Sequence, residues 1–412
     1  MGPITLFDKS FLQTLSTDES VWFDNFFYTV IAPLFYIETL ADLEKPPREG
    51  KTAEEEVGII AAKTPQMSGA PCYFHHEICI QDLLGNHTPL TGRIPMAGMR
   101  RVVREGKEGA VVEITPEAKA FARWQHGDFL DVERNHARVW RAHLARIDLS
   151  AIEHAMKHAG INSKTCKSLE AALKVADDTI IGLSKSPGRF DSMLEVLEIP
   201  TELRREIKSR WKFLKRPGLI SFAPYAAHVL RVEIFFRAAL GANLIASTRP
   251  SHRVDMAYLF YLPFCTLFVS TDRLHRDCAP LFMRPDQEFV WGQDLKDDLV
   301  SLNRYFASLP LEVRSQGIYR FASRLPDESH GLIRALFERH TPRLLGPRST
   351  IDLDAMSEAS HKKIVKQVNE WESSPDISEV PSKGTGELES VILKRSISRQ
   401  RGSWIQIGPE VK

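Results

Sequence analysis

The stretch HRVDMAYLFYLPFCTLFVSTDRLH, residues 252–275, decides the fold class that we predict for this chain. It begins with basic residues and Asp255, continues as an apolar helix-like run, and ends as an apolar strand-like run at residues 266–269. Ser270 and Asp272 follow that run. One acid therefore lies at the start of a buried helix, and another lies just past a buried strand. Because ligands of α/β proteins gather at the carboxyl ends of the strands, the two acids predict a metal site.

The beginning of the chain repeats this arrangement. Residues 4–7 form a short apolar strand-like run that ends at Asp8, with Ser10 two positions later. A second candidate strand, residues 29–34, leads into a helix-like segment that carries Glu38. Two strands near the start of the chain thus each lead to an acid, as in the stretch quoted above.

The four acids together predict a site for a hard divalent cation. Carboxylates crowded at one sheet edge repel one another and are tolerated mainly when a cation neutralises them. Mg²⁺ and Mn²⁺ prefer oxygen ligands, and the chemistry that uses such a cluster is hydrolysis of a phosphodiester by metal-activated water. The predicted ligands and catalytic residues are Asp8, Glu38, Asp255 and Asp272.

Composition places few limits on function. The chain has 412 residues, is 43% hydrophobic and carries a net charge of +1, so any nucleic-acid surface must be local. The five cysteines are odd in number and contain no CxxC pair, which favours a reducing compartment. The start of the chain lacks a signal-peptide pattern, and no apolar run approaches the roughly 20 residues needed to cross a bilayer. We expect a cytoplasmic protein without a membrane partner.

The pattern along the chain predicts an α/β domain that is interrupted by a long insertion. The α/β domain is expected in two pieces, residues 1–45 and 220–292. Residues 46–219 read as a mostly helical insertion, and residues 293–371 as a C-terminal helical region. Residues 372–412 read as a flexible tail with a short basic segment.

Two basic regions are candidates for contact with nucleic acid. Arg249, His252 and Arg253 precede Asp255 and could position a phosphate, or serve as counter-ions to the acids. The second region interleaves aromatic residues with cations, a composition that suits phosphate contacts and base stacking. Its alternative is an amphipathic helix with Ile207, Trp211 and Leu214 in the core. The cations of this region are Arg204, Arg205, Lys208, Arg210, Lys212, Lys215 and Arg216.

The order of four short motifs resembles the PIN-like nuclease family. The motifs are FDKS, PLFYIETL, RVDMAYL and FVSTD, and they begin at residues 7, 33, 253 and 268. The resemblance implies a three-layer α/β/α fold with a mainly parallel sheet and an Mg²⁺ or Mn²⁺ site. It assigns metal binding and catalysis to Asp8, Glu38, Asp255 and Asp272, with Ser10 and Ser270 as supporting hydroxyls. It covers roughly residues 1–45 and 220–290, and the long insertion departs from compact members of the family.

Each acid also has an ordinary structural interpretation. Asp8 and Asp255 could be N-caps of the helices that follow them, and Asp272 could be a turn residue. Glu38 could be a solvated helical residue, and Asp42 is expected at the surface.

The function that these patterns favour is hydrolysis of RNA, such as tRNA or another single-stranded nucleic acid, by a metal-dependent endoribonuclease. One alternative is a catalytically inactive relative that binds RNA, or a protein partner through the helical insertion. A further alternative is a toxin-like or phage-defence nuclease. The sequence leaves the oligomeric state open.

Overall fold

The computed structural model describes residues 2–48, 50–183, 187–345, 358–376 and 390–408. Its strands are β1 (Ile4–Phe7), β2 (Tyr28–Ile31), β3 (Gly69–Pro71), β4 (Met99–Arg104), β5 (Lys107–Val112), β6 (Leu267–Ser270), β7 (Glu288–Trp291), β8 (Ser390–Leu393), β9 (Gln400–Arg401) and β10 (Trp404–Ile405).

The main sheet has five parallel strands in the order β3-β2-β1-β6-β7. The chain moves outward from β1 to β2 and β3, and later returns to the other side of β1 for β6 and β7. The order therefore reverses between β1 and β6, the position at which open α/β sheets bind ligands. Phe7 pairs with Val269, so Asp8 and Ser270 leave the sheet at the same edge. The expected packing of the stretch 252–275 beside the start of the chain is confirmed.

Both faces of this sheet are buried, as expected for parallel strands. Leu6, Val30 and Phe268 belong to one hydrophobic cluster. Their neighbours along the strands, including Phe7 and Val269, belong to a second cluster. This alternation follows from the two-residue period of a strand, which sends successive side chains to opposite faces. The predicted mixed α/β class with a parallel sheet is confirmed, and the arrangement is compatible with three layers.

Helices make up most of the remaining described chain. The α-helices are Lys9–Thr14, Thr17–Phe26, Pro33–Leu40, Ala53–Lys63, His75–Leu84, Pro116–Trp124, Asp131–Ala145, Leu149–His158, Leu169–Leu183, Pro187–Val196, Thr201–Phe213, Leu219–Phe222, Pro224–Gly241, His252–Tyr258, Arg273–Cys278, Gly292–Ala307, Leu311–Arg314, Ile318–Phe321, Leu332–His340 and Glu358–Glu372. Short 3₁₀ helices are Ala41–Glu44, Leu259–Phe264, Ala279–Leu281 and Pro342–Leu344. Within the described ranges, every helix is too short or too polar to cross a bilayer.

The second strand ends earlier than its sequence predicts. It stops at Ile31, and Pro33 begins the helix Pro33–Leu40 instead of closing the strand. Proline suits the first helical turn, because the missing amide has no partner there and its φ is already helical. Glu38 therefore lies in the second turn of this helix.

The region expected to be a helical insertion contributes a strand to the main sheet. Gly69–Pro71 forms the edge strand β3, which pairs with β2. The same region also contains the antiparallel hairpin of β4 and β5, so it is not entirely helical. Glycine, alanine and proline are all depleted in strands, so the sequence of β3 gives no signal from which it could be predicted.

The end of the chain folds back onto the domain instead of forming a flexible tail throughout. Strand β8 pairs in parallel with β5 to complete a three-stranded sheet, and β9 and β10 pair with each other. Arg401 and Trp404 in the last two strands are buried. Of the predicted tail, residues 377–389 and 409–412 lie outside the described residues.

Candidate active site at the carboxyl ends of strands β1 and β6

Asp8 is the most firmly held of the four acids. It follows β1, is 4% exposed, and accepts a hydrogen bond from the Phe11 amide at 3.0 Å. The Asp8 side chain therefore caps the helix Lys9–Thr14, which was its structural alternative. The hydroxyls of Ser10 and Ser270 also donate to Asp8 Oδ2, at 2.6 and 2.9 Å. The two serines thus support this carboxylate.

His275 is a site residue that the sequence did not assign. Its Nε2 lies 2.7 Å from the Asp255 backbone oxygen, which can only accept, so Nε2 carries a proton. Its Nδ1 lies 2.8 Å from Ser270 Oγ, and the Ser270 hydroxyl already donates its proton to Asp8. Nδ1 must therefore donate as well, which makes His275 a buried imidazolium.

The electrostatic environment agrees with this protonation state. Burial lowers the pKa of His275, but the hydrogen bond and charge of Asp8, together with Asp255, raise it to about 9. Burial raises the pKa of Asp8, but His275 and Ser10 outweigh that effect and lower it. The Asp8 Oδ2 to His275 Nδ1 distance is 3.4 Å. The site therefore contains one fixed positive charge among its acids.

Glu38 is held by a tyrosine from the central stretch. The Tyr258 hydroxyl donates to Glu38 Oε2 at 2.5 Å. Burial raises the pKa of Glu38, with Asp8 and Asp42 adding to the effect, while Lys9 and the Tyr258 hydrogen bond oppose it. This contact joins the helix Pro33–Leu40 to the helix His252–Tyr258.

Lys9 ties Glu38 to a second, structural carboxylate. Its Nζ donates to the Glu38 backbone oxygen and to both Asp42 carboxylate oxygens, each at 3.0 Å. Asp42 is 8% exposed and also pairs with Lys45 at 2.6 Å, so the expectation of a surface residue is wrong. Asp42 therefore serves as a counter-ion, because two lysine side chains already balance its charge.

Asp255 has the most unusual environment in the site. The N-cap of its helix is Ser251, so the capping interpretation of Asp255 is wrong. No described residue donates a hydrogen bond to its half-buried carboxylate. Burial raises its pKa to about 7, and the carboxylates of Glu38, Asp272 and Asp8 add to this effect, while His275 opposes it.

Asp272 caps a helix and also belongs to the acidic cluster. It is the N-cap of the helix Arg273–Cys278 and accepts a hydrogen bond from the Leu274 amide at 2.6 Å. Its own amide donates to Ser270 Oγ at 2.9 Å. The short strand β6 therefore ends in a tight turn that places Asp272 within electrostatic reach of Asp255.

The structure brings the four predicted acids into one electrostatic cluster at the carboxyl edge of β1 and β6. In their present conformations, no three His, Cys, Asp or Glu side chains of the described residues are arranged to hold an ion. Glu38 and Asp272 are each turned toward a protein donor, Tyr258 and the Leu274 amide. Binding an ion through these acids therefore requires such contacts to change.

The basic residues next to Asp255 have different surroundings. Arg253 forms an ion pair with Glu233, which is 4% exposed, so it is neither free for substrate nor paired with the four acids. His252 Nδ1 lies 3.0 Å from the Ala246 backbone oxygen. Arg249 is exposed. Of these three candidates, Arg249 is the one whose exposed side chain could contact a phosphate.

The aromatic part of the second basic region is in the protein core. Trp211 is 2% exposed and stacks on Phe190 with ring centroids 4.1 Å apart, so it is unavailable to nucleic-acid bases. Ile207 is also buried, which confirms the amphipathic alternative, but Leu214 is 44% exposed and does not belong to the core.

Several cations of this region have protein partners. Arg204 and Lys208 pair with Glu195 and Asp191, and the Arg210 guanidinium lies over the Phe222 ring at 4.4 Å. The exposed cations of this helix and its C-terminal end are Arg205, Lys212, Lys215 and Arg216. A smaller set than predicted is therefore available to a phosphate backbone.

Comparison with known proteins adds no relative from which a function could be transferred. No protein-family model, curated protein or solved structure matches the chain.

Proposed function

We propose that this chain is a PIN-like, Mg²⁺- or Mn²⁺-dependent endoribonuclease that hydrolyses RNA phosphodiesters at the acidic site between β1 and β6. One observation carries the proposal: the Asp255 carboxylate accepts no hydrogen bond from any described residue, and burial with three neighbouring carboxylates raises its pKa to about 7. A carboxylate in such surroundings is stabilised when a divalent cation balances the repulsion. RNA as the substrate class rests on the family resemblance of the four motifs.

The chemistry of the donors suits a hard divalent cation. Asp8, Glu38, Asp255 and Asp272 offer carboxylate oxygens, the ligands that Mg²⁺ and Mn²⁺ prefer, and these four residues would hold the ion. When bound, such a cation lowers the pKa of a water molecule and polarises the phosphodiester.

The protein's own residues then have distinct tasks. Asp8 is oriented by Ser10, Ser270 and the Phe11 amide, so its position is fixed before any ligand arrives. Asp255 accepts no hydrogen bond from a described residue, so its oxygens are available to the cation and to the water molecule that the cation would bind. The imidazolium of His275 keeps Asp8 ionised and anchors the Asp255 backbone.

Cleavage of single-stranded RNA by the purified full chain tests this proposal. We expect cleavage with Mn²⁺ or Mg²⁺, and a loss of at least about 100-fold in rate for Asp8→Asn and Asp255→Asn, because each variant removes a charged ligand of the cation and the loss of one electrostatic contact in an active site costs about that much. Asp277→Asn is the matched control, since Asp277 is an exposed acid in the helix Arg273–Cys278. Cleavage that is insensitive to both site variants, or equally sensitive to the control, would refute the assignment.

A second candidate function is an inactive PIN-like module that binds RNA or a protein without cutting. The observation that favours it is His275, whose positive charge already neutralises part of the charge that a metal ion would balance. The two functions differ in metal binding. A nuclease predicts that Mn²⁺ raises the unfolding temperature of the wild-type protein and that Asp255→Asn removes this effect. RNA binding without turnover and without any metal-dependent stabilisation would favour the inactive module.

A further inference from the structure

A cavity of about 220 Å³ lies away from the four acids, between the edge strand β3, the helix Pro116–Trp124 and the C-terminal segment 393–398. Its walls combine apolar side chains with nearly as many polar or charged ones. The apolar lining includes Ile31, Met96, Ile114, Phe121 and Leu393. Small-molecule sites in proteins pair an apolar surface with polar groups that orient the ligand, and their volumes for drug-sized ligands begin at about 300 Å³. The cavity therefore suits a more compact molecule.

One of the polar groups in the wall is the hydroxyl of Tyr36. The residue as a whole is 6% exposed, and its ring packs edge-on against Phe121 with centroids 4.5 Å apart. Tyr36 lines the cavity, and its hydroxyl forms no hydrogen bond with any described residue. This hydroxyl is therefore available to donate to an acceptor atom of a ligand.

A second polar group is an arginine without an acidic partner. Arg395 Nη1 donates to the backbone oxygens of Gly69 at 2.7 Å and Gln66 at 3.5 Å, and the described residues provide it with no ion pair. Its neighbour Lys394 differs, because Glu113 neutralises it at 3.0 Å. The Tyr28 side chain also interacts with the Arg395 guanidinium. The partners of Arg395 are all uncharged, and a guanidinium has five N–H groups in a planar fork that matches a carboxylate.

We propose that this cavity binds a small aromatic carboxylate. The flat apolar body would contact Phe121 and the other apolar walls, the carboxylate would pair with Arg395, and an oxygen would accept the Tyr36 hydroxyl proton. This site is independent of the nuclease proposal. Because residues 393–398 form one wall, the ligand also stabilises the docked C-terminal segment against the edge of the sheet.

Benzoate is the probe for the full-length protein, followed by ligand-observed NMR titration. Because benzoate has only about nine non-hydrogen atoms, it is expected to bind with a dissociation constant of about 1 mM. Benzyl alcohol has the same ring without the charge and is expected to bind about tenfold more weakly. Benzoate is also expected to slow amide exchange in residues 390–398.

Three variants locate the site. Arg395→Gln is expected to weaken benzoate binding about tenfold or more, since a hydrogen bond to a charged group contributes about 1.5–3 kcal/mol. Tyr36→Phe keeps the ring and is expected to weaken binding about fivefold. Arg399→Gln is the matched control, because Arg399 is exposed on the same segment and does not line the cavity. Should Arg395→Gln fail to fold, Arg395→Lys keeps the charge, removes the fork and is expected to weaken binding as well.

The proposal is overturned if benzyl alcohol binds as tightly as benzoate, because the anion would then contribute nothing. An equal loss of benzoate affinity in the Arg395 and Arg399 variants would show that benzoate binds outside this cavity. An absence of saturable benzoate binding up to about 50 mM, well above the expected constant, would show that the cavity is not such a site.

Discussion

At the scale of single residues, the environment of Asp255 has a direct consequence for stability. Its pKa is raised from 3.8 to about 7 in the folded protein, by burial first and then by the neighbouring carboxylates. A raised carboxyl pKa means that the folded state binds the proton more tightly than the unfolded state does. Ionised Asp255 therefore opposes folding, and this cost develops as the pH rises from about 4 to about 7.

Asp255→Asn is accordingly expected to stabilise the metal-free protein at alkaline pH. The gain over wild type should be small near pH 4, grow up to about pH 7 and remain constant above it, with a size of about 1–3 kcal/mol. Urea unfolding in the presence of a chelator, measured across this pH range, tests the expectation. Asp277→Asn should show no such gain. Parallel stability curves for Asp255→Asn and wild type would contradict the electrostatic account of the site.

The sequence predicted the acids of this site but missed the group that organises them. Asp8, Ser10, Ser270 and Asp272 could be found because each lies next to a strand end that apolar residues mark. His275 lies in the central stretch, but its role depends on Asp8, far away along the chain, and on the protonation state that Asp8 and the Ser270 hydroxyl impose. A histidine that follows Ser-Thr-Asp at a strand end was the available signal.

At the scale of elements, the C-terminal strands show how strongly one buried ion pair can anchor a segment. Asp24 is fully buried and accepts hydrogen bonds from the amides of Gln66, Met67 and Ser68. Arg401 Nη1 donates to the same carboxylate at 3.0 Å. Asp24 thus fastens both the turn before β3 and the strand β9 to the helix Thr17–Phe26.

Removal of the Arg401 guanidinium from this ion pair is expected to lower the free energy of unfolding. Arg401→Met should destabilise the protein by about 3–5 kcal/mol, because it leaves Asp24 buried without its counter-charge. It should also release the end of the chain, which limited proteolysis within residues 390–408 would detect. Arg399→Met, two positions earlier and exposed, should change neither property. Equal stability of the two variants would show that the tail is not anchored through Asp24.

The distant partners of Arg401 and Trp404 explain why the sequence predicted a flexible tail where the structure shows a docked segment. The composition of residues 372–412 is polar and rich in charge, and the partner of Arg401 is 377 positions away. Trp404 is 3% exposed and packs edge-on against Trp22 with ring centroids 4.6 Å apart. Local pattern identifies neither contact, whereas the long helices, such as Ala53–Lys63, were predicted because their capping and apolar period are local.

At the scale of the whole molecule, residues 46–219 are built into the α/β domain. They supply strand β3, and Asp82 within them accepts hydrogen bonds from the amides of Tyr225 and Ala226 at 2.8 and 3.0 Å. These amides begin the helix Pro224–Gly241, whose buried side chains share a hydrophobic cluster with Leu6 of the central strand. A mostly helical insertion was predicted from periodicity, but periodicity does not reveal that its helices pack into the hydrophobic clusters on both faces of the sheet.

Replacement of residues 46–219 by a short Gly-Ser linker is therefore expected to abolish folding. The helix Pro224–Gly241 would lose the residues packed on its outer side, and its N-terminus would lose the buried carboxylate of Asp82. We expect no cooperative urea transition and strong binding of a hydrophobic dye. Asp82→Ala in the intact chain is the milder test, with an expected loss of about 2–4 kcal/mol in one transition that circular dichroism and tryptophan fluorescence report together. A linker variant that unfolds cooperatively would instead show that the two outer pieces form an autonomous domain, and the four acids could then be studied without the rest of the chain.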